Sequence, residues 1–418
     1  MGLDLAEPSN SHRNRDVKKD KAMKSLQPLG AVFALFLANV IPLHAAELTV
    51  AAVLHDETAF AGAHDIQVHD GLAYIVGKGF TSRALPRNGV FPYEKGKGGS
   101  FAIVDVKQPA APELLWSARD PLNYEDAETV LPLGGDRLLV GSREILLFDI
   151  AQPALPKLLA RLNDRPRVDL INGSVRLGDV VFGSNKRGQI FAVDVSAPNK
   201  LKLLGARHTK DRDGFEAPHD VALSGDLLVI VSPENFGRTG LPGKLGVYQV
   251  TDPTTGRVVP AKQWTLVGQI EDNRLAGANR VMTRGSFAYV GSSLSPMVGR
   301  TDDLRPRVSI IDLSDPTKPR IRGSVGFPDP QVQGPNGLEV AGTVVFAAGG
   351  QTVQAIDVSN PDAPREFARL TAPAAFPGAL DDAHDLVYHD GHLFVTAQNS
   401  HSLVVLKVSA ELARSTRP

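Results

Sequence analysis

A short phrase of sequence recurs along the chain and restricts it to a repeat architecture. The phrase is an apolar run, an Asp, an aliphatic residue and often, a few positions later, a Pro. Five clear copies are FAIVDVKQPAAP (101–112), ILLFDIAQPALP (145–156), IFAVDVSAP (190–198), VSIIDLSDPTKP (308–319) and VQAIDVSNPDAP (353–364), and two degenerate copies are LGVYQVTDP (245–253) and LVVLKVSAE (403–411). Self-similarity of this kind indicates a fold that is built from repeated units.

Ahead of each copy lies a second phrase, which consists of a polar residue, an alternating strand, a tight turn and an apolar strand. The starts of its successive copies are 64, 44, 47, 60, 57 and 48 residues apart. With a further short strand after the Asp phrase, each unit holds four strands, named a to d here in chain order. Four-stranded antiparallel units at this spacing predict an all-β fold, a seven-bladed β-propeller.

The two ends of the chain predict how the propeller closes. The last unit has strands a, b and c but no convincing d, whereas ELTVAAVLHDE (47–57) is a strand with no a, b or c before it. We expect this N-terminal strand to serve as strand d of the last blade, which leaves no open sheet edge. Residues 46–418 are therefore expected to form a single propeller domain.

The N-terminal residues have the pattern of a targeting signal. From Met23 the chain reads MKSLQPLGAVFALFLANVIPLHAAEL, with a positive start, a mostly apolar run over 29–41 and a small-residue cleavage site. This pattern predicts a secretory signal peptide within 1–45, and residues 1–22 are interpreted as an extension ahead of the true start. Because the run is shorter than the ~20 residues that span a bilayer, we expect a periplasmic, secreted or cell-surface protein with no integral membrane span after signal cleavage.

The repeat resembles that of a known family. The phrases SIIDLSDP, AIDVSNP and FAIVDVKQP are similar to the LVIVD repeat of exported and cell-surface propeller proteins of bacteria and archaea, and the resemblance covers essentially the whole mature chain. The resemblance implies a propeller fold and export. It implies little about chemistry, because a propeller is a scaffold whose function depends on its site.

Composition and missing motifs exclude several classes of function. The chain has no cysteine, so it has no disulfide, thiolate metal site, iron–sulfur cluster or cysteine nucleophile. Its net charge is −1 and no basic stretch is interleaved with aromatics, so we expect no nucleic-acid partner. It contains no G-x-S-x-G, H-E-x-x-H, P-loop or Rossmann motif.

An Asp recurs at the end of strand c in five units, and its positions are Asp105, Asp149, Asp194, Asp312 and Asp357. A residue that recurs in five blades serves the blade rather than a single reaction. Asp before a Pro-containing turn accepts backbone N–H groups and fixes the connection that follows. We therefore expect these carboxylates to shape the c–d turns.

Strand direction assigns the loops to two faces of the propeller. The start of strand a and the b–c loop share one face, called the top face, and the a–b and c–d turns share the bottom face. Extra residues fall in three b–c loops, 77–99, 234–243 and 293–307. Because function often resides in loops on a rigid scaffold, these loops predict a binding mouth on the top face, and tolerated surface insertions are the alternative.

The stretch AHDLVYHDGHLFVTA (383–397) contains three histidines within nine positions, which resembles a metal-ligand cluster. Asp390 and Gly391, however, occupy the two positions that a tight a–b turn needs. His389 and His392 are therefore expected beside this turn at the bottom face, the length of a strand away from His384.

Polar residues at the start of strand a are expected to form a ring around the axis at the top face. The ring consists of His64, Glu128, Asn172, His219, Asn279, Asn336 and His384, and the place of Glu128 requires one inserted glycine in the repeat. We expect His64, His219, His384 and Glu128 to bind a divalent metal ion, because imidazoles with a carboxylate suit Zn, Mn or Fe better than Ca. Asn172, Asn279 and Asn336 are expected to bind the ligand. A channel lining that only holds ordered water is the alternative.

Two kinds of neighbour extend this ring. Arg280, beside Asn279, is the expected rim cation for a carboxylate or phosphate group of a ligand. An Asp follows each ring histidine, at positions 65, 220 and 385. Each of these carboxylates could orient an imidazole of the next blade or accept a hydrogen bond from that blade's backbone.

Two functions fit this sequence. One is an exported metal-dependent enzyme of hydrolase or lyase type, whose metal polarises a carbonyl or phosphoryl oxygen or activates a water in a top-face cavity. The other is a non-catalytic periplasmic or cell-surface propeller that binds a protein or glycan partner through its top-face loops. Across the two functions, the expected partner at the top face is a small molecule, glycan or protein. The ring composition favours the first, and the general character of the family that the repeat resembles favours the second.

Overall fold

The computed structural model describes residues 47–79, 98–165, 167–233, 242–293, 306–328 and 334–417. These residues form 28 strands in seven four-stranded sheets, and each sheet is one blade of a propeller. The predicted all-β, seven-bladed fold is confirmed. The predicted signal peptide (1–45) and most of the three long b–c loops (80–97, 234–241 and 294–305) lie outside the described residues.

The strands follow one another in chain order within each blade. The first strand of the described residues is β1 (Leu48–His55). Blade one contains β2 (Ala63–His69), β3 (Leu72–Gly77), β4 (Gly99–Asp105) and β5 (Glu113–Asp120), and blade two contains β6 (Thr129–Pro132), β7 (Arg137–Gly141), β8 (Ile145–Asp149) and β9 (Lys157–Leu162). Blade three contains β10 (Ile171–Leu177), β11 (Val180–Asn185), β12 (Gln189–Asp194) and β13 (Lys202–His208), and blade four contains β14 (Asp220–Ser224), β15 (Leu227–Ser232), β16 (Gly243–Gln249) and β17 (Thr265–Asp272).

The remaining blades have the same order. Blade five contains β18 (Ala278–Arg284), β19 (Phe287–Ser292), β20 (Arg307–Asp312) and β21 (Arg320–Gly326), and blade six contains β22 (Gly337–Ala341), β23 (Val344–Gly349), β24 (Thr352–Asp357) and β25 (Arg365–Thr371). Blade seven contains β26 (Ala383–His389), β27 (His392–Ala397) and β28 (Ser402–Val408). Two short helices are α1 (Lys210–Asp213) and α2 (Ala410–Ser415), and no helix among the described residues is long and apolar enough to cross a membrane.

The N-terminal strand completes the last blade. β1 pairs antiparallel with β28, from Leu48 opposite Val408 to His55 opposite Ser402. The order in this sheet is β1-β28-β27-β26, so strand d of blade seven comes from the other end of the chain. Because β28 is covered by β1, it does not present its unpaired backbone groups at an open edge.

One apolar cluster lies between each pair of neighbouring blades. Blades seven and one share a cluster that includes Ile66, Ile75 and Phe394. Blades one and two share another, in which the rings of Phe101 and Phe148 lie 5.3 Å apart between centroids. Since alternate residues of a strand point to opposite faces of the sheet, each blade packs against both neighbours, and this packing holds the a strands around the axis.

The repeated Asp residues at the ends of the c strands shape turns, as predicted. In each case one carboxylate oxygen accepts the backbone N–H two residues later, over 2.9 to 3.0 Å, for Asp105, Asp149, Asp194, Asp312 and Asp357. This geometry is that of an Asx-turn. It accounts for the recurrence of the residue without a role in chemistry.

Asp149→Ala should lower the free energy of unfolding by about 0.5–1.5 kcal/mol, the net value of one hydrogen bond. The variant removes the acceptor for the Ala151 N–H, which is 2.9 Å away. Urea unfolding followed by circular dichroism measures the change. A loss well above this range, or any change in ligand binding, would contradict the structural role.

The a–b turns separate the histidines of the three-histidine stretch. Asp390 and Gly391 both have positive φ, 45° and 75°, the backbone of a two-residue hairpin turn. His389 and His392 pair across this turn, at the opposite end of β26 from His384. The prediction that the apparent cluster is split by a strand is confirmed.

Candidate functional site

The seven ring residues all lie at the top end of strand a, where the sequence repeat places them. Each is the second residue of its strand or immediately precedes it: His64 in β2, Glu128 before β6, Asn172 in β10, His219 before β14, Asn279 in β18, Asn336 before β22 and His384 in β26. The a strands of neighbouring blades contact one another all the way around the axis. The ring residues therefore face a common channel.

A backbone irregularity sets the direction of four ring side chains. In blades one, three, five and seven, the a–b pairing skips the ring residue; in blade one Ala63 pairs with Gly77 and Asp65 pairs with Val76, so His64 has no partner residue. Such an inserted residue is a β-bulge, which bends the strand and re-aims a side chain. In the other three blades the ring residue donates its N–H to strand b, as His219 does to the Val231 carbonyl over 2.8 Å.

Six of the seven ring residues form two contiguous groups. In the first, the imidazoles of His64 and His384 lie 3.8 Å apart between centroids, and His64 Nε2 is 3.9 Å from Glu128 Oε2. In the second, His219 Nδ1 hydrogen bonds with the backbone carbonyl of Asn279 over 2.8 Å, and Asn279 Nδ2 donates to Asn336 Oδ1 over 3.0 Å. The structure thus brings together residues that are up to 320 positions apart in the chain, from His64 to His384.

Two lysines that the sequence analysis did not single out belong to the same site. Lys78 Nζ is 3.0 Å from Glu128 Oε1, Lys186 Nζ hydrogen bonds with the same oxygen, and Lys186 Nζ is 3.3 Å from Asp126 Oδ2. Burial opposes ionisation of Glu128, but the two lysines outweigh it and hold the pKa of Glu128 below its usual range. Lys78 immediately follows β3 and Lys186 immediately follows β11, and each of these b strands has six residues. The two lysines therefore occupy equivalent positions of the repeat, and an alignment of the repeats would have revealed this.

The three ring histidines are held in the neutral form. Burial, followed by the charges of nearby groups that include Lys78 and Arg280, lowers the pKa of His219 to about 3. Burial likewise places the pKa values of His64 and His384 well below the ordinary value. Because the Asn279 carbonyl can only accept, His219 Nδ1 carries the proton and Nε2 carries the lone pair.

The structure corrects the position of Arg280. The sequence predicted a cation on the rim, whereas the side chain lies inside the channel and is only 14% exposed. Its guanidinium group is 3.3 Å from Asp65 Oδ1 and 3.0 Å from Asp385 Oδ2, and its Nε donates to the Asn336 carbonyl over 3.0 Å. The bulge at Asn279 turns the next residue towards the axis, where carboxylates of the same chain bind it.

The Asp residues after the ring histidines connect neighbouring blades. Asp65 Oδ2 accepts the N–H of Val130 in blade two over 2.8 Å, and Asp220 Oδ2 accepts the N–H of Val281 in blade five over 2.9 Å. In the same way, Asp385 accepts from Ile66 of blade one over 3.3 Å. The sequence left two roles for these residues, orientation of an imidazole and a hydrogen bond to the backbone of the next blade. The structure shows the second.

Five buried polar atoms of the ring have no hydrogen-bond partner among the described residues. They are His64 Nδ1, Glu128 Oε2, Asn172 Oδ1, Asn279 Oδ1 and His384 Nδ1. Buried polar atoms are almost always paired, so a set of this size at one level of a channel is typical of a site that holds water, an ion or a ligand group. Among the described residues, no three His, Asp or Glu side chains are already placed at metal-holding distances from one another.

Comparisons with known proteins support the fold. No protein-family model matches the sequence, and no curated protein matches it. The structure is similar to the crystal structure of the β-propeller domain of Cps50 (Swd1) from Myceliophteria thermophila, with a TM-score of 0.56 and 10% sequence identity over 87% of this chain and 100% of that chain. At this identity the likeness concerns the propeller fold alone, and the resemblance to the LVIVD repeat stays a prediction.

Proposed function

We propose that the protein is an exported propeller of the LVIVD-repeat type whose ring binds a divalent transition metal ion, and that it acts as a metal-dependent hydrolase or lyase at its top face. The observation that carries this proposal is the set of buried ring atoms without a partner, among them one nitrogen each of His64 and His384 and one oxygen of Glu128. Neutral imidazole nitrogens and carboxylate oxygens are metal ligands. These nitrogen and oxygen atoms could coordinate a cation, whereas they make no hydrogen bond with one another.

The ring histidines suit this role because they are neutral before any ion arrives. Their lowered pKa values keep a lone pair available at neutral pH. The hydrogen bond from His219 Nδ1 to the Asn279 carbonyl fixes that imidazole in the way that outer contacts fix metal-ligating histidines. Three nitrogen ligands with an open position are typical of catalytic Zn sites, and Mn or Fe suits the same residues when Glu128 joins them.

Glu128 and its two lysines complete the proposed site. Glu128 Oε1 is committed to Lys78 and Lys186, and Oε2 is the oxygen that faces His64. Ca²⁺ is less suited, because it prefers several oxygen ligands and the ring offers one carboxylate. When bound, a transition metal would polarise a carbonyl or phosphoryl oxygen or activate a water. Lys186, which is 30% exposed, replaces Arg280 as the proposed cation for an anionic substrate group.

Zinc should stabilise the chelator-treated protein through the ring histidines. An ion at 100 times its Kd raises the free energy of unfolding by about 2.7 kcal/mol, which thermal unfolding with and without ZnCl₂ detects as a higher Tm. His219→Ala and His384→Ala should abolish this rise. His389→Ala is the matched control, because this histidine lies at the bottom turn, and it should respond as the wild type does. An equal rise in all four proteins would place the ion elsewhere and contradict the proposal.

A second candidate is a non-catalytic propeller that binds a protein or glycan partner at its top face. The observation that favours it is the charge balance of the ring, in which the Glu128 carboxylate is already paired with Lys78 and Lys186. The loops proposed to contact the partner are 77–99, 234–243 and 293–307, which lie mostly outside the described residues. A metal-free protein that keeps its fold and binds a partner would favour this function over the first.

A further inference from the structure

A second feature of the channel, below the ring, is an axial cavity of about 270 Å³. Residues from strand a of all seven blades line it, from the residue after the ring position down towards the a–b turns. Its roof is formed by Arg280 with Asp65, Asp220 and Asp385. The axial cavity is therefore separate from the ring and lies on its bottom side.

Aliphatic side chains form part of the walls of the axial cavity, between its polar groups. They include Val130, Leu131, Ala222, Leu223, Met282 and Leu338. The hydroxyl groups on the walls are engaged with the protein itself, since Thr129 Oγ1 and Ser174 Oγ are 2.8 Å apart and Thr283 Oγ1 donates to the Leu223 carbonyl. A ligand would thus meet aliphatic side chains as well as the polar groups that line the cavity.

Carboxyl groups outnumber basic groups among the residues that line the axial cavity. Four carboxyl groups (Asp65, Asp220, Glu339 and Asp385) face it with one guanidinium group, that of Arg280. Arg280 is bound to Asp65 and Asp385, and Asp220 accepts two backbone N–H groups over 2.9 Å each. The roof groups are therefore paired with one another or with the backbone.

Glu339 differs from these groups, because the partner of its carboxyl group is a neutral one, the backbone N–H of Val340, and no described side chain forms an ion pair with it. It belongs to β22 and lines the axial cavity. Ionisation of a largely desolvated carboxyl group is costly when only a neutral N–H accompanies it, and a cation offsets that cost. The side chain is thus positioned to pair with a cationic group of a ligand.

We propose that the axial cavity binds a small organic cation with a primary ammonium group and a short apolar body, and that Glu339 is its counter-ion. The ammonium group would pair with Glu339, and the apolar body would contact the aliphatic walls. A neutral ligand would gain no ion pair with Glu339, and an anion would face four carboxyl groups with no uncommitted cation among the lining residues.

Proton release should accompany binding at neutral pH. Burial raises the pKa of Glu339 to about 8, so the carboxyl group of the ligand-free protein is mostly protonated at pH 7. Pairing with an ammonium ion favours the carboxylate, and the proton passes to the buffer. The other titratable groups that line the axial cavity are Asp65, Asp220, Asp385 and Arg280, which remain paired as described.

Ligand-observed NMR with n-butylammonium chloride tests the proposal, with n-butanol as the neutral probe of the same shape. We expect saturable binding of n-butylammonium to the wild type and binding at least about tenfold weaker for n-butanol, in line with the strength of a charge-assisted contact. Glu339→Gln should weaken n-butylammonium binding to the level of n-butanol. Glu113→Gln, the same change at an exposed position on β5, should leave it unaltered.

Glu339→Gln should fold, because glutamine has the shape of the protonated glutamate, and its far-ultraviolet circular dichroism should match the wild type. Ala222→Leu is a second variant, which fills the cavity without a change of charge and should also weaken binding. Equal binding of n-butylammonium to Glu339→Gln and wild type, equal binding of the two probes, or no saturable binding of n-butylammonium would each overturn the proposal.

Discussion

Arg280→Met should lower the free energy of unfolding by about 3–5 kcal/mol, the usual loss when one partner of a buried ion pair is removed. The guanidinium group holds Asp65 and Asp385 over 3.3 and 3.0 Å at the centre of the propeller. Without it, these carboxylates stay in the channel with no cation between them. Chemical unfolding at pH 7 measures the loss, and Arg284→Met, at the exposed end of the same strand, should change stability by less than about 0.5 kcal/mol.

The effect of Arg280→Met should also depend on pH. Burial and the neighbouring Asp65 raise the pKa of Asp385 despite the attraction of Arg280, and loss of the cation should raise it further. A carboxyl group with a raised pKa in the folded state makes the protein less stable as pH rises, because ionisation then opposes folding. The difference in stability between variant and wild type should therefore grow from acidic to neutral pH. A difference that is independent of pH would contradict the assigned contacts.

Glu128→Gln should cause a loss of similar size, about 3–5 kcal/mol, because it leaves two lysines close together without their shared carboxylate. Lys78 is 14% exposed, so solvent compensates little for the lost partner. The second substitution in Glu128→Gln/Lys78→Met should restore part of the stability, since it removes one of the unpaired cations. The measurement is urea unfolding of the single and double variants at pH 7.

Glu125→Gln is the control for Glu128→Gln. Glu125 pairs with Arg143 over 3.1 Å at a more exposed position, where such a pair contributes roughly 0–1 kcal/mol. The contribution of Glu128 should be present above the usual Glu pKa of about 4.3 and be lost as the pH falls from there through its lower folded-state pKa. If Glu128→Gln is no more destabilised than Glu125→Gln, the buried cluster does not hold Lys78 and Lys186 as described.

The sequence predicted the parts of this protein that depend on local pattern. The recurring Asp phrase, the alternating strands and the Asp-Gly turns each specify their own geometry within a few residues, so the blades, the c–d turns and the split of His384 from His389 followed directly. The ring followed from symmetry, because equivalent positions of seven blades must lie around one axis. These inferences required no knowledge of side-chain direction.

The parts that were missed depend on side-chain direction and on contacts between blades. A bulge at Asn279 adds one residue to the strand and turns Arg280 inward, and residue counting does not reveal a bulge. Lys186 reaches Glu128 from another blade, and nothing near either residue in sequence indicates the pair. In sequence, Glu339 is an ordinary polar residue of an alternating strand, and only the assembled channel shows that it faces the axial cavity.

Metal content of the purified mature protein tests the central claim most directly, namely that the ring is a metal site. Elemental analysis of wild type, His219→Ala, His384→Ala and the control His389→Ala, each dialysed against metal-free buffer, gives the number of ions per chain. We predict about one Zn, Mn or Fe ion per chain in the wild type and the control, and a near-complete loss in the two ring variants. A wild type that folds without any such ion, even after incubation with the three metals, would contradict the claim and leave the ring as a water-lined channel.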